Sequence, residues 1–236
     1  VVMLNAVFSG KKRGTGLQSQ QAALELAEGA EDVLTASVFE RLAYLPDELL
    51  TAVLSRLRNE PFGPLQAIEY WPSWYLQNGT RVEPDVLLQD AQRCVLIEAK
   101  RHDHVRQQSA RQLANELLAG WHGEYLGDSC ILLTLGGLEN VNEADRQRLL
   151  SEVLDRLPAG SATRFSLVCR SWQQLYQALE SQVDPESPAG LQRLLDDIAK
   201  CYAWHGLRTH PMRWLADLQP PKLDVHTGAF TAWSRK

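Results

Sequence analysis

The sequence lacks the features that mark several classes of protein. No run approaches the ~20 consecutive apolar residues that a membrane-spanning helix needs, so no membrane association is expected. The four cysteines lie more than thirty residues apart, with no CxxC pair and no histidine at zinc-finger spacing, which argues against a structural zinc site. A basic excess is also missing, because the formal net charge is -5. Composition therefore does not by itself identify a nucleic-acid-binding protein.

Nucleotide-binding and nucleophile motifs are absent as well. The sequence contains no GxGxxG or GxxxxGK segment, and no serine or cysteine lies in an elbow motif, so neither triphosphate binding nor covalent Ser/Cys catalysis is indicated. The basic residues near the N-terminus follow the apolar ones, which is the reverse of a signal peptide. Because the cysteines are unpaired in pattern, we expect a reducing, cytoplasmic setting.

Hydrophobic residues make up 44% of the 236 residues and charged residues 22%, the usual balance of a globular protein. We expect one domain over residues 1–236, with a core at about 31–170, a helical N-terminal extension (1–30) and a helical C-terminal extension (171–236). Residue patterns predict the elements in that span. Predicted helices cover residues 18–28, 31–45, 47–58, 105–118, 142–157, 172–182 and 188–204, and predicted strands cover 65–71, 81–88, 94–99, 129–135 and 163–169.

This order predicts an α/β protein. Three strands in a meander, then a helix and a parallel crossover, imply a mixed central sheet with helices on both faces. The segment from 206 to 236 has no clear periodicity and is not assigned.

Two acidic segments stand at the ends of neighbouring predicted strands. Residues 83–85 are Glu-Pro-Asp and residues 98–100 are Glu-Ala-Lys, with a hairpin between them. Antiparallel neighbours lie ~4.8 Å apart, so Asp85 and Glu98 can converge on one cation, while Lys100 points to the same face as Glu98. Two oxygen ligands suit Mg²⁺, and a lysine beside them can orient or deprotonate a water. This combination is what metal-assisted phosphodiester hydrolysis requires.

The EPD and EAK segments, in this setting, resemble the PD-(D/E)xK nuclease superfamily, over roughly residues 31–169. The resemblance implies a restriction-endonuclease-like αβββαβ core, with Asp85, Glu98 and the Ala99 carbonyl as ligands for Mg²⁺ or Mn²⁺. It also implies that Lys100 is the catalytic lysine.

Many members of that superfamily add an acidic residue from the first core helix. The candidates are Glu31, Asp32 and Glu40. Leu34, Thr35, Val38 and Leu42 define the apolar arc of this helix; Glu31 falls inside the arc, Asp32 at its edge and Glu40 well outside it. A carboxylate on the sheet-facing side needs a compensating partner, so Glu31 is the choice, although a simple helix-dipole role explains it nearly as well.

Related nucleases often carry a glutamine on the helix after the ExK strand. Gln112 ranks first here, in the segment RQLANE, ahead of Gln107, Gln108 and Arg111; surface glutamines are the plainer interpretation. Basic residues crowd the same edge and suit phosphate contacts, unless they only form a solvated helix face: Arg101, His102, His104, Arg106 and Arg111. Trp71, Trp74 and Tyr75 are expected to pack in the core rather than stack on bases.

The sequence thus predicts a Mg²⁺-dependent phosphodiesterase, a deoxyribonuclease and endonuclease rather than a ribonuclease, acting in genome defence, restriction or repair. DNA is the expected partner, and a protein partner or a homo-oligomer stays open. Two alternatives remain: a nuclease-like fold without activity that serves DNA binding or assembly, and an unrelated α/β protein in which both segments occur by chance.

Overall fold

The computed structural model describes residues 29–211 of the chain. These residues form six α-helices, seven strands and one 3₁₀ helix at Ser161–Thr163. The helices are α1 (Gly29–Leu42), α2 (Asp47–Arg58), α3 (Ala110–His122), α4 (Glu143–Leu154), α5 (Trp172–Glu180) and α6 (Ala189–His205). The strands are β1 (Ala67–Tyr70), β2 (Trp74–Tyr75), β3 (Arg81–Val82), β4 (Val86–Gln89), β5 (Cys94–Ala99), β6 (Cys130–Leu135) and β7 (Phe165–Arg170).

Five strands build a mixed central sheet in the order β1-β4-β5-β6-β7. The pairs β1–β4 and β4–β5 are antiparallel, whereas β5–β6 and β6–β7 are parallel. The parallel strands β5 and β6 are buried along their whole length, as expected for strands covered on both faces. The predicted α/β class and mixed sheet are confirmed.

Alternate residues of each strand point to opposite sides of the sheet. Both sides carry apolar side chains, and helices cover both faces. Val95 and Ile97 of β5 pack with α1, α2, α5 and α6 in one core. Leu96 of β5 packs with α3 and α4 in a second core on the other face. The carboxyl ends of β5 and β6 therefore lie between two helical layers.

The predicted strand 81–88 is wrong in one respect, because it is two strands in two sheets. Arg81–Val82 pairs with Trp74–Tyr75 in a separate two-stranded sheet, and the chain joins the central sheet only at Val86. Pro84 lies in the gap, and a proline has no N–H to donate to a strand ladder. The break leaves Asp85 at the entrance of β4.

The predicted helix 105–118 begins later, at Ala110, where Ser109 is the N-cap and accepts a hydrogen bond from the Gln112 N–H. This start fixes the first turn of α3, which carries Gln112. The other predicted elements within the described residues are present with ends shifted by a few residues.

The C-terminal helices share the main core. Trp172 of α5 and Tyr202 of α6 are fully buried in the same cluster as Leu34 of α1, so this part of the predicted C-terminal extension is continuous with the domain. The predicted helix 18–28, the rest of the N-terminal extension and residues 212–236 lie outside the described residues. No helix within 29–211 combines the length and apolarity that crossing a membrane demands.

Candidate functional site

Two buried carboxylates face each other at the ends of β4 and β5. The register of the pair, continued by one residue, puts Asp85 directly opposite Glu98. Asp85 is 7% exposed and Glu98 1%. Asp85 Oδ2 accepts a hydrogen bond of 2.8 Å from the Ala99 N–H, and its Oδ1 accepts one of 3.2 Å from Trp71 Nε1. Both oxygens of Asp85 are therefore held in place by groups of the sheet and its edge.

The Lys100 ammonium lies between carboxylates from two different elements. Its Nζ is 2.5 Å from Glu98 Oε1 and 3.2 Å from Glu31 Oε1. The second oxygen of Glu31 accepts a hydrogen bond of 2.8 Å from the Arg101 N–H. Glu31, in the first turn of α1, thus fixes both the side chain and the following backbone of the lysine.

The first turns of α3 supply an amide and a third buried carboxylate. Gln112 Nε2 donates to Glu98 Oε1 over 2.7 Å and to Glu116 Oε1 over 2.9 Å. Glu116 is fully buried. The amide of Gln112 therefore bridges the carboxylates of Glu98 and Glu116.

Desolvation and mutual repulsion dominate the electrostatics of this cluster. Burial raises the pKa of Asp85 well above its usual range, and the charge of Glu98 adds to the effect. Burial likewise raises the pKa of Glu98, with Glu116 as the next contributor, and it raises the pKa of Glu116 to about 8, with Asp85 next. Burial alone would lower the pKa of Lys100, but the carboxylates of Glu98 and Glu31 outweigh it and raise the value. The cluster holds more carboxyl groups than the one ammonium could offset if all of them ionised, and the raised pKa values of the buried ones follow from this.

The cluster offers oxygen atoms of the kind that hard divalent cations prefer. Glu98 Oε2 and Glu116 Oε2 are buried and accept no hydrogen bond from a neighbouring donor, although the two carboxyl groups are close enough to share a proton. Ala99, the last residue of β5, is fully buried beside them. Among residues 29–211, no group of three or more His, Cys, Asp and Glu side chains is arranged to hold a metal, so the fit rests on Asp85, Glu98 and a backbone carbonyl. Carboxylate and carbonyl oxygens are the ligands that Mg²⁺ and Mn²⁺ prefer.

Gly136 and Gly137, at the end of β6, lie against the lysine. Both have positive φ, of +68° and +69°, and a Cβ on Gly137 would lie 2.7 Å from Lys100 Cβ. The Gly137 carbonyl accepts hydrogen bonds from the N–H groups of Gln107 and Gln108. Only a residue without a side chain leaves room here for Lys100.

The start of α5 is hydrogen-bonded to the segment that contains Lys100 and Asp103. Trp172 Nε1 donates a hydrogen bond of 2.7 Å to the Lys100 carbonyl. The carboxylate of Asp103 accepts from the N–H groups of Trp172 and Gln173, at 3.0 and 3.3 Å. The start of α5 is therefore fastened to the loop that follows the lysine.

Of the remaining residues that the sequence suggested for the site, some lie beside the carboxylate cluster and others do not contact it. Gln108 is buried and donates to the carbonyls of Glu98 and Gly136, so it supports the backbone rather than a carboxylate. Gln107 and Arg111 are exposed, and Arg106 is paired with Glu152. His102 and His104 line an open cleft of about 500 Å³ next to the loop after Lys100.

The acidic candidates on α1 have different surroundings. Glu31, the preferred candidate, contacts the lysine. Glu40, predicted to lie outside the apolar arc, is nevertheless buried, because α1 packs against α6 as well as the sheet and most of its circumference is covered. Asp32 is partly buried.

The preference for aromatic packing is confirmed for Trp71 and Trp74, which are 5% and 2% exposed. Tyr75 is 54% exposed, so packing does not account for it. Trp71 also does more than pack, because its indole N–H bonds to Asp85.

Glu116 is the residue that the sequence interpretation missed. It lies four residues after Gln112 and beside Leu113 and Leu117 on the apolar face of α3. An acidic residue on an apolar helix face needs a partner, and that signal was available in the segment RQLANE.

Comparisons with known proteins give one short match and one long one. A family model described as F-box domain matches residues 147–175, which run from α4 through β7 into the first turns of α5. Over 221 residues the chain is 41% identical to a protein of Pasteurella multocida (strain Pm70) that carries the name Uncharacterized protein PM0110, covering 92% of this chain and 85% of that protein. No solved structure matches the chain.

Proposed function

We propose that this chain, which belongs to the same family as the Pasteurella multocida protein PM0110, is a divalent-cation-dependent nuclease of the PD-(D/E)xK type. The observation that carries the proposal is the contact of Lys100 with Glu98, directly across the sheet from Asp85. Burying two carboxylates side by side is costly unless a cation compensates them. The position of this arrangement, at the ends of the central strands, supports a role in binding a cation rather than in packing.

Asp85, Glu98 and the Ala99 carbonyl are the groups that would hold Mg²⁺ or Mn²⁺. Glu98 uses one oxygen for Lys100 and Gln112, and its other oxygen has no donor. A cation at these groups would supply Lewis-acid stabilisation of the charge that builds on phosphoryl oxygens. The hydrogen bonds from Trp71 and the Ala99 N–H to Asp85 keep that carboxylate aligned without a large reorganisation on binding.

Lys100 would act on the attacking water and on the developing charge. The carboxylates of Glu98 and Glu31 raise its pKa above the usual value, so the ammonium is the form present near neutral pH in the cation-free protein. As an ammonium it donates hydrogen bonds, and it can orient a water and stabilise negative charge in the transition state. Glu31 positions it from the side opposite the sheet.

DNA is the substrate that we propose, with internal cleavage of the strand, in genome defence, restriction or repair. Basic residues beside the lysine support a polyanionic ligand despite the overall charge of -5, although the acidic Asp103 lines the same cleft. Arg101 follows the catalytic lysine, and His102, His104 and Arg208 surround the cleft beside it. Such groups contact phosphates and fix the register of a nucleic acid without reading its sequence.

A binding module is the second candidate, because an F-box is a protein-interaction module and residues 147–175 match its model. The large apolar side chains of that segment are already in use within the domain: Leu149, Val153, Phe165, Leu167 and Trp172 are buried. A partner would therefore meet mainly its polar residues. The matched segment does not include the carboxylate cluster, so both roles can coexist.

The direct test is incubation of the purified chain with plasmid, linear duplex, single-stranded DNA and RNA, each with Mg²⁺, Mn²⁺ or EDTA. We expect cleavage of DNA that requires either cation and stops with the chelator, because the proposed ligands are hard oxygens. Cleavage that persists in EDTA, or no cleavage of any substrate with either cation, would reject the proposal.

Two substitutions distinguish the proposed role of Asp85 as a cation ligand from that of Lys100 as a catalytic group. Asp85→Asn should weaken Mn²⁺ binding and nearly abolish cleavage, since it removes a charge from the ligand set. Lys100→Ala should retain Mn²⁺ and DNA binding but lower turnover by ~10²-fold or more, because its contacts strengthen in the transition state. Calorimetric titration with Mn²⁺, followed by turnover assays on the same samples, makes the comparison. Wild-type turnover by the Lys100 variant would contradict the assignment.

A further inference from the structure

Two cysteines face each other at the end of the sheet remote from the carboxylate cluster. Cys94 begins β5, Cys130 begins β6, and the register of this parallel pair places them directly side by side. Their side chains point to the same face, in the core formed with α3 and α4. Both are free thiols, and the strand pairing makes each the nearest cysteine neighbour of the other.

One member of the pair, Cys94, lines a cleft although it is itself only 6% exposed. Cys94 lines a cleft of about 540 Å³ together with Arg93, Tyr125 and Gly127. Cys130 lies behind it and is 1% exposed. A small solute in the cleft therefore meets Cys94 first, with Cys130 immediately next to it.

Hydrogen bonding activates the outer thiol. The contact with Cys130 lowers the pKa of Cys94 to about 7, against the opposing effect of burial, and the Gly127 N–H contributes further. The pKa of Cys130 is raised by the same contact and by burial. The thiolate is the nucleophilic form of cysteine, so the more accessible sulfur is also the more reactive one. A low-pKa cysteine beside a second thiol is the usual arrangement of a redox-sensitive pair.

We propose that Cys94 and Cys130 form a peroxide-sensitive dithiol that closes to a disulfide between β5 and β6. The Cys94 thiolate attacks one oxygen of hydrogen peroxide, forming an S–O bond while the O–O bond breaks, and the departing hydroxide takes up a proton to become water. The Cys130 sulfur, losing its proton, then attacks the Cys94 sulfenic acid, forming the S–S bond and releasing a second water. In sum, two thiols lose two electrons and two protons, and one peroxide becomes two waters.

The other two cysteines provide internal controls. Cys169 is buried near Thr134, and Cys201 lies near Ser37; for both, burial raises the pKa of the thiol. Cys201 is nevertheless more exposed than Cys94. Exposure alone would therefore make Cys201 react first, whereas the proposed pair makes Cys94 react first.

The experiment is a timed exposure of the reduced chain to hydrogen peroxide, quenched with N-ethylmaleimide and analysed by intact mass and peptide mapping. We expect two of the four thiols to escape N-ethylmaleimide together, in a species with two adducts instead of four that links the Cys94 and Cys130 peptides and is reversed by dithiothreitol. Their loss should be at least about tenfold faster than that of Cys169 and Cys201, as expected for the most thiolate-rich site.

Single substitutions complete the test. In Cys130→Ala, oxidation should stop at a Cys94 sulfenic acid that dimedone traps, and in Cys94→Ala the fast phase should vanish. Cys169→Ala should behave as wild type, and far-UV circular dichroism checks that each variant is folded. First oxidation at Cys201, or a Cys94 sulfenic acid that persists in the wild type without forming the disulfide, would overturn the proposal. None of these outcomes depends on nuclease activity.

Discussion

At the scale of single residues, Glu31 links the helix α1 to the residues that follow β5. One oxygen contacts the Lys100 ammonium and the other accepts the Arg101 N–H. Loss of its charge would leave Lys100 paired mainly with Glu98, which is one of the proposed cation ligands. Glu31 thereby helps to keep the lysine from neutralising the ligand set.

Glu31→Gln should therefore lower DNA cleavage strongly, by ~10²-fold, which corresponds to about 2.7 kcal/mol of transition-state stabilisation. Glu48→Gln is the matched control, because Glu48 is also acidic, in the first turn of a helix, and exposed. Turnover at saturating Mn²⁺ and DNA measures the effect. Equal activity of the two variants would show that the contacts of Glu31 with Lys100 and Arg101 make no contribution to cleavage.

Sequence patterns located the residues of the cluster unevenly. Asp85, Glu98 and Lys100 could be placed together because strand periodicity and a hairpin-sized gap determine which side chains meet. The helical periodicity of α3 carries the signal for Glu116, whereas the burial of Glu40 depends on the packing of α1 against α6. That packing is tertiary information and does not appear in the periodicity of one helix.

At the scale of elements, the turn after β6 sets the space available to the lysine. Gly137 and Gly160 both have positive φ, but only at Gly137 would a Cβ meet other atoms closely, whereas nothing lies within 4 Å at Gly160. The two positions separate backbone strain from steric conflict with Lys100.

Gly160→Ala should lower the free energy of unfolding by about 1–2 kcal/mol, the cost of a left-handed backbone for a residue with a Cβ. Gly137→Ala should cost about 1–3 kcal/mol more through overpacking, and it alone should lower turnover. Urea denaturation, paired with the DNA cleavage assay, measures both effects. Similar losses of stability with unchanged activity in both variants would contradict the role assigned to this turn.

The element boundaries show why local patterns are incomplete guides. Residues 81–88 satisfy a strand pattern throughout, yet the segment around Pro84 leaves the ladder and the two parts pair with different partners. The predicted helix at 105 starts late because the Gln107 and Gln108 N–H groups bond to Gly137, a residue distant in sequence. Long-range hydrogen bonds decide both cases.

At the scale of the whole molecule, the buried carboxylates should make stability depend on pH. The folded pKa of Glu116, about 8, exceeds the ordinary value of 4.5, and the pKa values of Asp85 and Glu98 are shifted in the same direction. Between pH 4.5 and about 8, Glu116 holds a proton in the folded protein that it has released in the unfolded chain. The free energy of unfolding from this source is therefore largest below the unfolded pKa and falls as pH rises through the folded pKa.

In EDTA, the stability of Glu116→Gln relative to wild type should rise as pH increases from 5 to 8, by at most about 1.4 kcal/mol per pH unit. Because the two proteins are compared at each pH, the contributions of the other titrating groups to the free energy of unfolding cancel to first order. Urea denaturation at matched ionic strength gives the difference. A difference that is constant over this range would mean that Glu116 is ionised throughout.

The bonds from Trp172 and Asp103 to the loop around the lysine have a consequence for partial unfolding. Helix α5 cannot leave the sheet without releasing the Lys100 carbonyl and the Asp103 carboxylate together. Tyr202 extends the link to α6, because its hydroxyl donates to the Trp172 carbonyl. The C-terminal helices and the end of β5 that carries Glu98 and Lys100 therefore form one cooperative opening unit, and a fluctuation that loosens the helices also disrupts the carboxylate cluster.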